Sequence, residues 1–211
     1  MELHSILSVW DWISLLIFLL SYFGYPYFYL FMQKYTSQQL RVHIYENLRR
    51  EACERFQKDR TLPNGTLQTY SRILTTLATA SFLALGGGLS LFLSSEQTQE
   101  LLSFSLVNRV DSIRGIRFRL LIFILLCGVA FLQFIWGFKA LYTLTYALEA
   151  GEEEMAFDYF SYMDTDLNRG IRTLYYLSIL FLWFFGPEFL LIGTIGLTYI
   201  LYRYDFLKTK Y

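Results

Sequence analysis

The sequence has very few of the side chains that bind metals or form cross-links. It contains two histidines, His4 and His43, and two cysteines, Cys53 and Cys127. Because Cys127 lies in an apolar run and Cys53 in a charged one, we expect no disulfide, and the set is too small for a zinc site. Neither histidine falls in an apolar stretch, and no Ser/His/Asp set, phosphate-binding loop or G-x-G-x-x-G pattern is present. The sequence therefore predicts neither an enzyme nor a cofactor.

Charged residues are also scarce. They make up 17% of the chain, whereas soluble domains have about a quarter, and they avoid four long stretches. Lysine plus arginine equals aspartate plus glutamate, at 18 each, so no net field favours nucleic acid as a partner. No basic segment precedes the first apolar stretch and no A-x-A cleavage site follows it, so we expect that stretch to remain in the protein.

Apolar residues, in contrast, make up 55% of the chain. About 20 apolar residues in a helix cross the roughly 30 Å hydrocarbon core of a bilayer, and four stretches reach that length. They predict spans at about 12–32, 73–93, 120–138 and 171–202. We therefore predict an all-α integral membrane protein that forms a four-helix bundle in a single domain, with the lipid bilayer around it.

The fourth stretch is longer than one crossing needs and contains Gly186-Pro187 near its middle. Proline removes a backbone donor and clashes with the preceding turn, so the pattern predicts one long, kinked helix. The alternative is a re-entrant hairpin of two half-helices, whose bend must be shielded from lipid. Trp183 lies just before the bend, and at that depth its indole N–H needs a partner.

Two charged segments separate the spans. Residues 33–70 predict a helical cytoplasmic arm, and residues 149–170 form an acidic loop. The arm has apolar residues at near-helical spacing, at Leu40, Ile44, Leu48 and Phe56. The side of the membrane that holds both segments has 11 lysines and arginines, and the other side has 7. The positive-inside rule then places the arm in the cytoplasm and both termini outside the cell (plasma or inner) membrane.

The second span carries two stripes of small residues. The first repeats every four positions and suits close helix packing; it consists of Thr76, Ala80, Ala84 and Gly88. The second is mildly polar and falls at helical spacing; it consists of Thr75, Thr79, Gly86 and Ser90. Packing explains both stripes, because the hydroxyls can bond to their own helix. The alternative is that the second stripe lines a pore in an oligomer.

Glu188 is the hardest residue to explain by packing. In a single crossing it lies near mid-membrane, where a carboxylate needs a partner, a proton or water, and it is then a candidate for an ion path. In a hairpin, Glu188 instead reaches the headgroups at the opposite surface. Lys139, directly after the third span, is a further ion-path candidate, although Lys139 and Arg119 can also snorkel to opposite interfaces.

An acidic run begins the loop after the third span. Glu152, Glu153 and Glu154 could ring a pore mouth and concentrate cations. The simpler interpretation is that Gly151 caps the third helix and that the acidic residues begin the next one, where they favour the helix dipole.

Four stretches of the chain together carry a family resemblance. They are LQTYSRILTTLATASFLA, FIWGFKALYTL, DLNRGIRTLYYLSILFLWFFGPEFLLIGT and LYRYDF. They resemble the membrane family catalogued as domain of unknown function 599, over most of the chain from about residue 5 to 206. The resemblance implies a multi-pass bacterial or plant membrane protein of four spans. It implies no reaction, substrate or catalytic residue, and the run Glu152–Glu154 is not part of the family pattern.

Two functions remain open. The first is a homo-oligomeric channel or transporter for a small inorganic ion, because four short helices enclose too little space and several subunits around an axis would supply it. The alternative is a non-transporting scaffold whose charged arm binds a soluble partner or lipid headgroups. Ion flux through purified protein in liposomes separates the two.

Overall fold

The computed structural model describes residues 8–35, 51, 64–94 and 113–206. The regular structure in these ranges is entirely helical, which confirms the all-α prediction. The helices, in chain order, are α1 (Val9–Tyr35), α2 (Asn64–Leu93), α3 (Ile113–Ala150), α4 (Glu153–Leu182) and α5 (Pro187–Phe206). The described ranges thus hold five long helices, whereas the sequence predicted four membrane spans and a helical arm.

Three of these helices are long and apolar enough to cross a membrane. The qualifying segments are Val9–Phe28 in α1, Leu67–Leu93 in α2 and Arg114–Ala150 in α3. They overlap the first three spans predicted from the sequence. Their length and composition suggest a membrane protein.

The fourth predicted span is not a single kinked helix, so that prediction is wrong. α4 ends at Leu182 and α5 begins at Pro187, with a turn between them. Gly186 has a φ of 149°, a conformation that is essentially restricted to glycine, and its carbonyl accepts the first hydrogen bond of α5 from Leu190 N (3.4 Å). Proline suits the first position of a helix, where no backbone donor is needed. Pro187 therefore starts a new helix instead of bending the previous one.

The two helices fold back on each other as a hairpin. A Cβ atom on Gly193 of α5 would lie 3.0 Å from Ile179 Cγ2 and 3.2 Å from Leu182 Cδ1 of α4. Ile179 and Gly193 lie equally far before and after Gly186, so α4 and α5 are antiparallel and closely packed. The structure therefore has a hairpin at the predicted bend, but its arms are helices of 30 and 20 residues and not the two half-helices of the alternative from the sequence.

The described chain forms two compact units, each built from segments of several helices. Unit 1 combines α1 and α5 with residues 84–93, 113–126 and 174–182. Unit 2 combines residues 64–83, 127–150 and 153–173.

In unit 1, α1 and α5 run parallel. Asp11 at the start of α1 contacts Trp183, just before α5, and Ser21 further along α1 contacts Thr198 further along α5. Apolar side chains from three helices fill the core of this unit; they include Leu15, Phe18, Leu180 and Leu190, each at most 4% exposed.

In unit 2, two glycines allow α2, α3 and α4 to pack closely. A Cβ on Gly137 of α3 would lie 3.0 Å from Leu74 Cδ2 of α2. Gly170 of α4 lies against the ring of Phe134, where a Cβ has no room. Nearby, Thr173 Oγ1 donates a hydrogen bond to Gln133 Oε1 (2.8 Å) and links α4 to α3.

A glycine cap ends α3, as the sequence predicts. Gly151 has a φ of 80°. Its N–H donates to the carbonyl of Leu148 (3.3 Å), and the N–H of Glu152 donates to the carbonyl of Ala147 (3.0 Å). This pair of bonds is the Schellman motif, which satisfies the last carbonyls of a helix.

The predicted cytoplasmic arm lies largely outside the described residues, and its apolar positions Leu40, Ile44, Leu48 and Phe56 are among those outside. At its ends, residues 33–35 belong to α1 and residues 64–70 to α2.

Candidate functional site

The carboxylate of Asp11 is the centre of a buried polar cluster in unit 1. Asp11 Oδ1 accepts hydrogen bonds from Arg119 Nη2 and from Trp183 Nε1, both at 2.8 Å. Asp11 Oδ2 accepts from Ser8 Oγ (2.6 Å) and from Ser8 N (3.1 Å). The Arg119 guanidinium carbon also lies 5.3 Å from the centroid of the Trp183 ring, within the range of a cation–π contact.

Local sequence explains why Asp11 can hold this position. Ser8 precedes α1, and its Oγ accepts a hydrogen bond from Asp11 N (3.2 Å) while Asp11 bonds back to Ser8. This reciprocal arrangement resembles a capping box, with aspartate in the place of the usual glutamate. Asp11, Arg119 and Trp183 are each at most 2% exposed, so the cluster is closed to solvent.

The hydrogen bonds of the cluster hold separate parts of unit 1 together. Both oxygens of Asp11 are occupied by donors from Ser8 just before α1, from α3 and from the turn before α5, so the carboxylate is saturated by its own chain. A group that bound substrate would need a free lone pair and access from outside. Asp11 and Arg119 therefore join the starts of α1 and α3 to the hairpin turn.

Sequence reasoning missed this ion pair but identified one member of the cluster. It predicted that the Trp183 indole needs a partner, and Asp11 is that partner. Asp11 and Arg119 both precede apolar stretches that begin on the same side in the predicted topology. That shared side was the signal that could have suggested the pair.

A second polar cluster in unit 1 joins the middle of α1 to both arms of the hairpin. Ser21 Oγ lies 2.6 Å from Thr198 Oγ1 and 2.8 Å from the Tyr176 hydroxyl. Thr198 donates its own hydrogen to the carbonyl of Thr194 (2.7 Å). Because a hydroxyl has one hydrogen to donate, Ser21 is the donor to Thr198. The cluster satisfies polar groups between apolar helices and leaves no charge there.

An elongated groove of about 550 Å³ opens beside this cluster, between α1 and α5 of unit 1. Its walls are mostly apolar, with Ile17 and Leu20 on one side and Ile195 on the other. Tyr199 and Tyr202 line the end towards the C-terminus of α5. The groove is partly open to its surroundings, so an apolar chain could lie in it.

Glu188 lies in the first turn of α5 and is exposed. Its carboxylate is placed where acidic residues favour the helix dipole. The hairpin turn brings this end of α5 to the starts of α1 and α3, because Trp183 contacts Asp11 and Arg119. The structure therefore favours the sequence alternative in which Glu188 belongs to a hairpin turn, over a position in the middle of a crossing.

The mildly polar stripe of α2 lies on one exposed face of the helix. Its four members, Thr75, Thr79, Gly86 and Ser90, are all exposed. Thr75 Oγ1 donates to the carbonyl of Ser71 (2.7 Å), so its hydrogen bond goes back to its own helix. The packing and pore interpretations both stay open for this stripe.

The other stripe of α2, which the sequence predicts for close helix packing, is not one continuous seam. Thr76 and Ala80 are exposed, Ala84 is half-buried and Gly88 is buried. A Cβ on Gly88 would lie 3.0 Å from Ile124 Cγ1 of α3, so only this end of the stripe packs closely against a neighbouring helix of its unit.

The remaining predicted site residues lie in unit 2 and the loop that it contains. Lys139 is exposed near the middle of α3, and Glu152 and Glu154 are exposed at the start of α4; the side chain of Glu153 lies outside the described set. Sequence reasoning did not single out Asp166 of α4. Burial raises the pKa of the Asp166 carboxyl, and Arg169, 3.9 Å away, opposes that rise.

A family model described as a protein of unknown function, DUF599, matches residues 13–210. No curated protein and no solved structure matches the chain significantly. The family match agrees with the resemblance found in the sequence and covers α2 to α5 and most of α1.

Proposed function

The chain belongs to the DUF599 family, whose description assigns no activity, and we propose that it is an integral membrane protein that assembles with copies of itself through α2. The observation that carries this proposal is the exposure of α2. Only 17% of its apolar segment is buried, against 28% in α1 and 33% in α3. We propose that lipid or another chain covers the rest.

The glycines of α2 favour another chain over lipid alone. Glycine inside a helix costs about 0.5–1 kcal/mol relative to alanine, and α2 has three in succession. Gly88 has a use within the chain, because it packs against Ile124. Gly86 and Gly87 have no heavy atom within 4 Å of an added Cβ. Close approach of a second helix would explain why glycine occurs at these positions despite its cost in helix stability, since small residues let helix backbones approach closely in a membrane.

The topology that we propose follows from the hairpin. α5 has 20 residues, which extend about 30 Å as a helix, and it runs parallel to α1. We propose that it also crosses the membrane, although it is less apolar than the three helices that qualify by composition. We place the start of α1 and the α4–α5 turn outside the cell membrane and the end of α5 in the cytoplasm. The two ends of the chain then lie on opposite sides, unlike the sequence prediction of both termini outside.

The distribution of positive charge supports this topology. The basic residues at and after the end of α5, Arg203, Lys208 and Lys210, join the cytoplasmic side. Of the 18 lysines and arginines, four then remain outside and fourteen lie inside; the outer four are Arg109, Arg114, Arg117 and Arg119. This division of 14 to 4 satisfies the positive-inside rule better than the division of 11 to 7 in the topology predicted from the sequence.

We further propose that the assembled α2 faces line a path for a small cation. Thr75 uses its hydroxyl hydrogen on its own helix, so its oxygen can only accept or coordinate. Oxygen-lined paths select cations. The exposed Glu152 and Glu154 would concentrate cations at one end, on the cytoplasmic side of the proposed topology. A scaffold that conducts nothing is the second candidate, because the same back-bonded hydroxyls also occur where helices only pack.

Assembly is tested by the mass of the purified protein in detergent and in lipid nanodiscs. Gly86→Leu should lower the oligomer mass without changing thermal unfolding, because its side chain fills space outside the single chain. Gly196→Leu is the matched control, since Gly196 on α5 is also exposed with nothing within 4 Å. A wild-type protein that is monomeric in nanodiscs would refute the proposal.

Conduction is tested by cation flux into liposomes. If α2 lines the path, Thr75→Val with Thr79→Val should reduce flux in assembled protein, whereas Ser178→Ala, which removes an exposed, back-bonded hydroxyl of α4, should not. Glu188→Gln should change flux or its pH dependence only if the path passes the hairpin turn. Absence of flux in assembled wild-type protein would favour the scaffold.

A further inference from the structure

The groove between α1 and α5 offers a mostly apolar surface, in which the hydroxyls of Ser21, Thr194 and Thr198 already make hydrogen bonds. Ser21 bonds Thr198, Thr198 bonds the carbonyl of Thr194, and Thr194 Oγ1 bonds the carbonyl of Leu190 (2.7 Å). These hydroxyls are therefore occupied within unit 1. A polar ligand would find little to bind in the groove, whereas a hydrocarbon chain would bury its surface there.

The length of the groove corresponds to one leaflet of a bilayer. On α1 the lining runs from Ile17 to Phe28, which is about 17 Å at the helical rise. Half of the hydrocarbon core is about 15 Å. An acyl chain that starts at the membrane surface and ends at the bilayer centre would therefore fill it from end to end.

Polar and positive groups lie at the end where a headgroup would be. Ile195 and Tyr199 line the groove and are 56% and 62% exposed, and Arg203 follows at the same spacing of four residues. Arg203 directly follows Tyr202, the last residue along α5 that lines the groove, so its position in the helix is just beyond the groove. Arg203 is exposed, and a guanidinium binds phosphate well.

We propose that the groove binds one acyl chain of an anionic phospholipid, with Arg203 at its phosphate. This inference rests on the proposed membrane insertion and adds a specific lipid partner to it. The lipid belongs to the leaflet at the C-terminal end of α5, which is the cytoplasmic one in the proposed topology. Anionic lipids concentrate in that leaflet, in agreement with the charge of Arg203.

The test is native mass spectrometry of the delipidated full chain with dioleoyl phosphatidylglycerol or dioleoyl phosphatidylcholine. These lipids have the same chains and differ in headgroup charge. Wild-type protein should bind the first phosphatidylglycerol about fivefold more tightly than phosphatidylcholine, as one basic contact at a membrane surface provides. Arg203→Gln should remove this preference and keep chain binding, whereas Arg114→Gln, at an exposed arginine of α3, should keep the preference.

A groove-filling variant tests the acyl-chain site separately. Ile195→Trp should lower the occupancy of both lipids. Ile192→Trp is the matched control, because Ile192 is an exposed isoleucine of the same helix (68%) that does not line the groove. Equal lipid binding by the two variants would overturn the proposal. A change in oligomer mass with Ile195→Trp alone would also overturn it, because the groove would then bind a second copy of the chain.

Membrane insertion is measured independently, by resistance of the expressed protein to carbonate extraction. Extraction of the wild-type protein would refute the proposed function. Retention in the membrane with no difference between the groove variants would refute the lipid site alone.

Discussion

Asp11 can be buried because its carboxylate receives hydrogen bonds from three separate elements. Arg119 supplies charge, Trp183 supplies an indole N–H and Ser8 supplies the helix cap. Taking an ion pair out of water is costly, and the cost is offset only when the geometry is good and further hydrogen bonds are made. Both conditions hold for this pair, so the cluster depends on all of its members.

Removing one member should therefore damage the fold more than removing the pair. Asp11→Ala leaves the Arg119 charge buried and uncompensated, and we expect a loss of ~3–5 kcal/mol in the free energy of unfolding. Asp11→Ala combined with Arg119→Met should cost less than the sum of the single changes. Thermal or denaturant unfolding in detergent measures both, with the exposed Arg114→Ala as control. Additive losses would show that the two side chains do not interact.

A second prediction at the residue scale compares Gly170 with Gly196. Substitution by alanine should change the free energy of unfolding in opposite directions at these two positions. Gly170→Ala places a methyl group in the ring of Phe134, and overpacking of this kind costs ~1–3 kcal/mol. Gly196→Ala meets open space and should instead stabilise its helix by about 0.5–1 kcal/mol. Unfolding of both variants in the same detergent gives the comparison; an increase in stability for Gly170→Ala would contradict the packing described for unit 2.

At the scale of elements, the hairpin shows what a local sequence leaves undetermined. Gly186-Pro187 was recognised as a break, but proline fits both a kink inside a helix and the first position of a new one. The choice depends on contacts that are distant in sequence. Gly193 packs on Ile179, and Trp183 reaches Asp11. None of these contacts follows from hydropathy, which explains why the position of the bend could be predicted and its direction could not.

Helix geometry explains why one predicted stripe of α2 stays on a single face and the other does not. A residue in an α-helix turns by about 100° from its predecessor. Steps of four residues therefore drift by about 40° each, and from Thr76 to Gly88 the side chains turn from exposed to buried. The other stripe, from Thr75 to Ser90, includes one step of seven that corrects the drift, and all of its members are exposed.

This difference predicts separate effects for adjacent glycines of α2. Gly88→Leu should destabilise the single chain by ~1–3 kcal/mol, because its side chain would meet Ile124. Gly87→Leu should leave unfolding of the single chain nearly unchanged, since nothing lies within 4 Å. Unfolding of both variants under conditions that dissociate any oligomer is the measurement. Equal losses would contradict the assignment of Gly88 to the packed side and Gly87 to the open side.

At the scale of the whole molecule, the all-α class and the first three candidate spans could be predicted, because hydropathy and length determine them. The side of the membrane on which the C-terminal end lies could not be predicted from hydropathy and length, because it depends on the number of crossings. A single crossing by residues 171–202 leaves both termini outside. In the topology that we propose, the hairpin with α5 parallel to α1 adds one crossing and places Arg203 on the cytoplasmic side.

Cysteine accessibility at the two ends of the described chain tests this account most directly. Val9→Cys and Arg203→Cys are made singly in a Cys53→Ser and Cys127→Ala background, and intact cells are treated with a membrane-impermeant maleimide. Val9 is 65% exposed at the start of α1, and Arg203 is exposed near the end of α5. The account predicts that Val9→Cys reacts in intact cells and that Arg203→Cys reacts only after permeabilisation. Reaction of both positions from the same side would contradict the parallel crossing of α1 and α5.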